Sequence, residues 1–435
     1  MKRRIGFVSF RISGTDGVSL ETKKWAEVFE ANNCRCFFVA GELDTPPESS
    51  MVVEEMHFKH PAIREMYEAA FSLTERPREL SERLHEFRTL LKKRLYEFVS
   101  RFKIDILVPE NALTIPLNLP LGMALTEFIA ETGIYTIAHH HDFFWERKRF
   151  LVNCVWDILN SCYPPHLNSV HHVVINSSGQ NQLALRTGVG ATLIPNVMDF
   201  EVPPPVPDDY SKDVRQALRV DDDSLLILQP TRVVQRKGIE HAIELVARLE
   251  RKATLVISHA SGDEGYEYQK RVQDYASLLK IDARFVDEII DDERGTTADG
   301  RKIYSLEDVY PFADLVTYPS LFEGFGNAFL EAIYFRKPIL VNNYSIYSHD
   351  IRPKGFDVIL MDDFISDKTV SETQELLNDP VRMHRMVERN FELGNRYFSY
   401  TILSAKLWHI IRTFYGEQQT AGARVSHGKS AARSG

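Results

Sequence analysis

At 435 residues the chain is too long for one ordinary hydrophobic core, so two units of about 200 residues each are expected. A composition of 44% hydrophobic and 26% charged residues excludes a disordered chain, and a formal net charge of −9 argues against nucleic acid as the main partner. No apolar run reaches the roughly 20 residues of a membrane span. Met1-Lys-Arg-Arg leads straight into a strand-like run, so no signal peptide and a cytoplasmic location are expected. Four cysteines, Cys34, Cys36, Cys154 and Cys162, lack C-x-x-C spacing and read as reduced, buried thiols.

In chain order, Ile5 to Phe10 reads as a strand and Arg11-Ile-Ser-Gly14-Thr-Asp-Gly17 as a loop. Val18 to Ala31 follows as a helix with Trp25, Val28 and Phe29 on its apolar side. A strand at Cys34 to Ala40 completes a β–loop–α–β unit of the doubly wound kind. Residues 42–103 form an insertion richer in helix. There Leu80, Leu84, Phe87, Leu91, Leu95, Phe98 and Phe102 share one stripe, opposite Arg83, Arg88, Lys92, Lys93, Arg94, Arg101 and Lys103. Such a basic amphipathic helix packs on its own core or lies on an anionic membrane; Glu79, Glu82, Glu86 and Glu97 dilute the basic face and favour the first. Strands at Ile104 to Val108 and Tyr135 to Ala138 then bracket a helix from Leu121 to Glu131.

The segment His139-His-His141-Asp142 comes next, with Arg147, Lys148 and Arg149 after it. Adjacent side chains on a strand point to opposite faces, so this run, like His171-His172, is a poor set of joint ligands and no metal is expected. The three cations either recruit an anionic group or begin a solvated helix. Val173 to Ile175 and Thr192 to Ile194 are further strands, and Pro203 to Pro207 reads as a stiff linker that puts a boundary near residue 200.

The second half restarts the pattern with a strand at Leu225 to Leu228, the turn Pro230-Thr-Arg232-Val-Val-Gln-Arg236-Lys237-Gly238, and a helix from Ile239 to Leu249. Arg232 offers a planar fork and Lys237 a point charge, both at a strand's C-terminal end, where α/β sites form. Arg236 reads equally well as a surface charge. Strands follow at Thr254 to Ser258 and Arg284 to Val286, and the loop 287–301 reads as mobile. Asp221 to Asp223 and Asp291-Asp292 invite a divalent-metal reading, with solvated turns the preferred one. Ile339 to Asn342 and Val358 to Met361 are the last strands, Ser371 and Gln374 make a capping-box pattern, Asn395 to Tyr415 is helical, and 416–435 is a polar tail expected to be disordered.

Between these lies Asp314 to Tyr318, an apolar run that reads as a buried parallel strand. It passes through Gly324 and Gly326 into a helix, Ala328 to Phe335. A strand, a glycine turn and a helix N-terminus present unpaired N–H groups that suit a phosphate. Glu323 sits where it can reach a hydroxylated group, and Glu331 stacks one turn beyond Asn327, where a carboxylate can accept two ribose hydroxyls. Taken alone, the stretch is equally a plain turn with two solvated glutamates.

Glu323 and Glu331, with Gly324-Phe325-Gly326-Asn327 between them, resemble the E-x7-E signature of the retaining glycosyltransferases of family 4, which have the GT-B fold. The resemblance implies α/β architecture with two Rossmann-like doubly wound domains and a cleft between them. Residues 1–200 would bind the acceptor, 201–395 the nucleotide sugar, and 396–415 would cross back to the first domain, with Pro195-Asn196 as hinge. It implies that Glu323 holds donor-sugar hydroxyls, Glu331 the ribose, and Arg232 and Lys237 the diphosphate. Gly17, Gly324, Phe325, Gly326 and Asn327 would line the donor, and His141 would stand against its sugar. The activity implied is retaining transfer of a hexose, from a donor of the GDP-mannose or UDP-glucose type, to a small anionic acceptor such as glucosylglycerate. Arg11, Arg147 and Arg149 would hold that acceptor's acid group, and no cofactor is required. A non-catalytic sugar-nucleotide sensor, an epimerase of the same fold and a membrane-surface glycolipid transferase are the rival expectations.

Overall fold

The computed structural model describes residues 2–14, 16–260, 267–291 and 293–416. Its first sheet comprises β1 (Arg4–Val8), β2 (Arg35–Ala40), β3 (Ser50–Val52), β4 (Ile106–Pro109), β5 (Tyr135–His140), β6 (Val170–Val174) and β7 (Ala191–Leu193). The second comprises β8 (Leu225–Gln229), β9 (Ala253–Ile257), β10 (Asp282–Phe285), β13 (Leu315–Tyr318), β14 (Ile339–Asn342) and β15 (Ile359–Met361). Two short strands, β11 (Gly295–Thr296) and β12 (Lys302–Ile303), pair antiparallel outside both sheets. All pairs within the two large sheets are parallel.

The strand orders are β3-β2-β1-β4-β5-β6-β7 and β10-β9-β8-β13-β14-β15. Each order reverses once, between β1 and β4 and between β8 and β13. Loops leaving the carboxyl ends of strands on either side of such a reversal diverge and leave a crevice there, where α/β sheets bind ligands. The loops at these two points are the ones singled out from the sequence: Arg11 to Gly17 after β1, Arg232 to Gly238 after β8, and Glu323 to Asn327 after β13.

Burial follows from covering both faces of each sheet. Ile106, Leu107 and Val108 are wholly buried, as are Leu226, Ile227 and Leu228, so these strands are apolar along their length rather than alternating. The helix Gly17–Ala31 packs Trp25, Val28 and Phe29 onto the first sheet. The helix Tyr400–Tyr415 adds Leu403, Leu407, Ile410 and Ile411 to that same core. The connections between the sheets run side by side, with the Met198 N–H donating to the Phe398 carbonyl at 2.9 Å.

Several local expectations change. The helix Asp367–Asn378 is capped by Ser366, whose hydroxyl accepts from the Thr369 N–H at 3.1 Å; Ser371 lies inside it and Gln374 donates to the Leu249 carbonyl instead. The closing helix is two helices, Pro380–Phe398 and Tyr400–Tyr415, because Ser399 leaves helical geometry and caps the second. The 287–301 segment carries β11, and Arg294 within it is gripped by Asp208 and Asp308. Cys154 is half-buried, whereas Cys34, Cys36 and Cys162 are buried; all four are free thiols. The tail beyond residue 416 lies outside the described residues.

The basic helix, Arg78–Phe102, buries Leu91, Leu95 and Phe98. On its polar side Arg83 pairs with Glu65, Arg88 with Glu127, and Lys92 with Glu127 and Glu131. Cations already matched by acids attract an anionic surface weakly. No helix among the described residues is long and apolar enough to cross a membrane.

Candidate active site between the two sheets

On the second sheet, the turn after β8 brings Arg236 and Lys237 against the loop after β13. Gly238 makes this possible. Its φ is +59°, and a Cβ there would stand 2.6 Å from the Pro319 carbonyl oxygen. The Leu321 N–H donates to the Arg236 carbonyl at 2.8 Å, so the two loops are tied through the backbone as well.

The Glu323 carboxylate sits in this junction with its side chain only 9% exposed, taking Arg236 Nη1 on one oxygen at 2.8 Å and Lys237 Nζ on the other. Burial works to raise the Glu323 carboxyl, but the Lys237 and Arg236 charges outweigh it and hold the acid below its usual range. For Lys237 burial wins, pulling the ammonium below its ordinary value against the pull of Glu323. Arg236 is therefore part of the site rather than a surface charge. Arg232 is exposed on the same turn, and its charge, after burial, helps to depress His259.

The glycine turn is fixed by Tyr344, whose hydroxyl donates to the Phe325 carbonyl at 2.7 Å. A Cβ on Gly326 would lie 2.7 Å from that hydroxyl oxygen. From there the helix Asn327–Tyr334 carries Glu331 to the Tyr310 hydroxyl, which donates to Glu331 Oε2 at 2.9 Å. Burial raises the Glu331 carboxyl; the Tyr310 bond and the charges of Lys24 and Lys237 work against it without prevailing.

The first sheet presents its loops opposite. Asp16 caps the Gly17–Ala31 helix, its Oδ1 accepting from the N–H groups of Val18 and Ser19 at 3.1 and 3.3 Å. A Cβ on Gly17 would stand 3.9 Å from Asn327 Nδ2, and one on Gly324 would stand 3.6 Å from the His141 carbonyl oxygen. Gly17 and His141 of one sheet thus face Asn327 and Gly324 of the other. Side chains bridge the same gap: Asn176 donates to the Gly324 carbonyl at 2.7 Å and Asn196 to Asn327 Oδ1 at 2.6 Å. Asp350 of the second sheet's side accepts from the Ser177 N–H at 2.7 Å.

The three arginines expected to hold an acid arrive with partners. Arg11 is paired with the capping Asp16 at 2.9 Å and Arg147 with Asp142. Arg149 lies over the Phe150 ring at 4.8 Å, and burial lowers its pKa. A separate cavity of about 410 Å³, bordered by Leu84, His85, Glu127 and Cys162, holds none of these residues.

Sequence reasoning missed Glu110. It follows β4, is wholly buried, and its Oε2 lies 2.8 Å from His139 Nδ1 and 3.6 Å from His141 Nε2. The run of three histidines was set aside because neighbours diverge, but His139 and His141 are two apart and share a face. Their donor atoms and that of Glu110 lie within 4.8 Å of one another, so the grouping has the makings of a metal site. The 2.8 Å separation of His139 Nδ1 and Glu110 Oε2 fits a hydrogen-bonded pair better than two ligands of a tetrahedral ion. Ligand atoms around one ion at about 2.1 Å stand roughly 3.4 Å apart in a tetrahedron, whereas 2.8 Å is the distance of a donor and an acceptor sharing a proton. Burial pushes His139 down to about 3, so its ring is neutral at physiological pH, and in the tautomer with the proton on Nδ1 it donates to an ionised Glu110. Burial raises Glu110 to about 7, with His141 opposing.

Comparison with known proteins now bears on this arrangement. The family described as glycosyl transferases group 1 matches residues 211–392, which include the β8 turn and both glutamates. A mannosylglucosylglycerate synthase of Petrotoga mobilis is 30% identical over 93% of this chain and 99% of its own length. Another, from Thermotoga maritima, is 31% identical over 91% of this chain and 96% of its own. Among solved structures, a glycosyltransferase from Rickettsia africae superposes with a TM-score of 0.69 at 13% identity, covering 96% of this chain and 99% of that one. Sucrose-phosphate synthase from Thermosynechococcus elongatus gives 0.66 at 16% identity, covering 95% and 99%. The fold is the GT-B fold of two parallel, doubly wound sheets, and the chain belongs to the group 1 glycosyl transferases, as a hexosyltransferase.

Proposed function

We propose that the protein transfers a hexose from a nucleotide-diphosphate sugar to a hydroxyl of a small anionic acceptor, with retention at the anomeric carbon. The observation that carries this reading is the Glu323 carboxylate locked between Arg236 and Lys237 beside the glycine turn. Three cations, Arg232, Arg236 and Lys237, against one carboxylate leave two positive charges on the rim of the second sheet, which match a diphosphate. Glu331 then receives the ribose hydroxyls, and residues 201–395 form the donor half. Residues 1–200 form the acceptor half, with His141 toward the donor sugar.

In the transfer, the bond from the anomeric carbon to the phosphate oxygen breaks, and the bond to the acceptor oxygen forms on the same face. The acceptor proton passes to the departing diphosphate. Glu323 is held by two cations and is a poor covalent nucleophile, which supports this direct path. Lys237, Arg232 and Arg236 stabilise the charge growing on the leaving group where water is excluded. The small acid as acceptor is supported by the two long relatives, whose names contain a glycerate. Arg11, Arg147 and Arg149 are the cations available to it, and Arg11 and Arg147 would have to share their present aspartates.

Calorimetry with nucleoside diphosphates, together with product analysis, tests the reading. Glu331→Ala and Arg232→Ala should each weaken diphosphate binding by roughly ten- to a hundredfold, whereas Glu323→Gln should mainly lower turnover. Unchanged affinity in both of the first two variants, or an inverted anomer by NMR, refutes it. For the acceptor, Arg11→Ala, Arg147→Ala and Arg149→Ala are titrated with matched acid and uncharged acceptors. A preference for uncharged sugars removes the anionic-acceptor part alone. No turnover with any donor and acceptor pair would favour a sensor.

A further inference from the structure

Glu110 is a wholly buried carboxylate with one hydrogen bond, to His139, and its Oε1 is without a hydrogen-bond partner. An apolar side chain would fold there at lower cost, so a buried acid this poorly satisfied calls for a role. Its surroundings are built to hold it still. His139 is stacked on Trp25 at 4.1 Å between ring centroids, and Trp25 comes from the helix that begins at Gly17. The backbone of His141 is fixed separately, because Asn111 Oδ1 accepts from its N–H at 3.0 Å. What remains free in His141 is the imidazole. That ring lies 4.5 Å from the His139 ring, is about one-tenth exposed, and turns Nε2 toward Glu110 Oε2.

We propose that Glu110 is a positioning residue for His141, holding the imidazole ring and its Nε2 proton so that His141 meets the donor sugar in one orientation and one tautomer. The inference rests on the reading that His141 faces the donor sugar. A neutral imidazole with its proton on Nε2 leaves Nδ1 as an acceptor, which a hydroxyl of the sugar can use. His139 supports the arrangement from the other side: its Nδ1 lies 2.8 Å from the same carboxylate oxygen, while His141 Nε2, buried and without a hydrogen-bond partner, stands 3.6 Å from it, so a shift of about half an ångström closes the bond to His141.

The carboxylate accepts the His141 proton most strongly when ionised, because the bond is then charge-assisted. Burial puts its titration at about 7, so turnover should fall as pH drops below neutrality while Glu110 takes up a proton. The charged and titratable groups around it are His139, His141, Asp142 and Glu21, the last paired with Lys24.

The test is Glu110→Gln, which keeps the shape and removes the charge. Expected are a fall in kcat of roughly ten- to a hundredfold, the weight of one charge-assisted hydrogen bond, a donor KM and nucleoside-diphosphate affinity near the parent's, and loss of the acid limb near pH 7. His141→Ala should lower kcat by itself, and adding Glu110→Gln to it should cost nothing further. A Glu110→Gln enzyme with parental kcat, or with its acid limb intact, overturns the proposal, as does full additivity in the double variant. Parental turnover in His141→Ala overturns the underlying reading as well, which separates the two failures. One tightly bound metal ion per chain in the purified protein also overturns it. Should Glu110→Gln not fold, Glu110→Asp retains a carboxylate and must keep the acid limb; its loss there counts against the proposal.

Discussion

Replacing Lys237 with alanine is expected to lower kcat/KM by roughly a hundred- to a thousandfold, the effect of removing one preorganised charge from a developing anion. Lys237 has two tasks in the proposed site, and the variant fails in both. The diphosphate loses a cation that is 8% exposed and already desolvated. Glu323 meanwhile keeps only Arg236, and a buried carboxylate deprived of one partner is costly, by up to about 3–5 kcal/mol when nothing else compensates. Lys237→Arg should restore little, because a planar fork cannot replace a point charge in a slot closed by Glu323 and the Tyr318 ring, whose centroid lies 5.3 Å from Nζ. Steady-state kinetics and diphosphate calorimetry decide the matter. Activity within tenfold of the parent in Lys237→Ala would remove the lysine from the mechanism.

The second large effect is expected from Gly238→Ala, read as stability. A left-handed alanine costs about 1–2 kcal/mol, and a Cβ 2.6 Å from the Pro319 carbonyl oxygen must push the backbone of two loops apart. Overpacking of that kind costs about 1–3 kcal/mol, for a total of roughly 2–5 kcal/mol. Gly133 is the control. Its φ is +61°, close to that of Gly238, yet nothing lies within 4 Å of the position a Cβ would take. Gly133→Ala should therefore show the backbone cost alone. Chemical denaturation of the two variants measures the difference. Equal losses would mean that the approach of the two loops is loose. In Gly238→Ala the displacement should also reach Arg236 and Glu323, so donor binding should weaken along with stability.

How much of this was legible in the sequence depends on whether the signal was local. The strand, glycine turn and helix around Glu323 and Glu331 are contiguous, and their order alone places both acids on one rim. Arg232 and Lys237 could be placed because they follow a strand directly. Arg236 could not, since that it turns inward alongside Lys237 is decided by Glu323, on a loop nearly ninety residues later in the chain. Glu110 was invisible for a similar reason: its partners sit on β5 and just after it, and the register of β4 against β5 belongs to the sheet. The aspartates that hold Arg11 and Arg147 lie five residues away in each case, a spacing with no helical or strand rationale. The Ser371 cap failed because the same pattern occurs inside helices, while Ser366 caps with a threonine three residues on.

The helix Tyr400–Tyr415 has a consequence for the order in which the protein can be made. Tyr400 donates to Glu27 at 2.6 Å, Asn32 to Ser404 at 3.1 Å, and Lys406 to the Leu193 carbonyl at 2.8 Å. The outer layer of the first sheet is thus sealed by nearly the last of the described residues to leave the ribosome. Domains generally fold in the order of synthesis, but here the second sheet, with all its strands made by residue 361, can close while the first still lacks a wall. Until residue 411 emerges, the flank of the Gly17–Ala31 helix that meets Leu403, Leu407, Ile410 and Ile411 in the shared core has no cover, so a nascent chain halted at residue 398 should be cut by protease within that helix while its second sheet resists. Equal resistance of the two halves would show that the first closes without its last helix. The earlier-made of the two sheets is thereby the later to be finished, and it depends longer on whatever shields exposed apolar surface during synthesis.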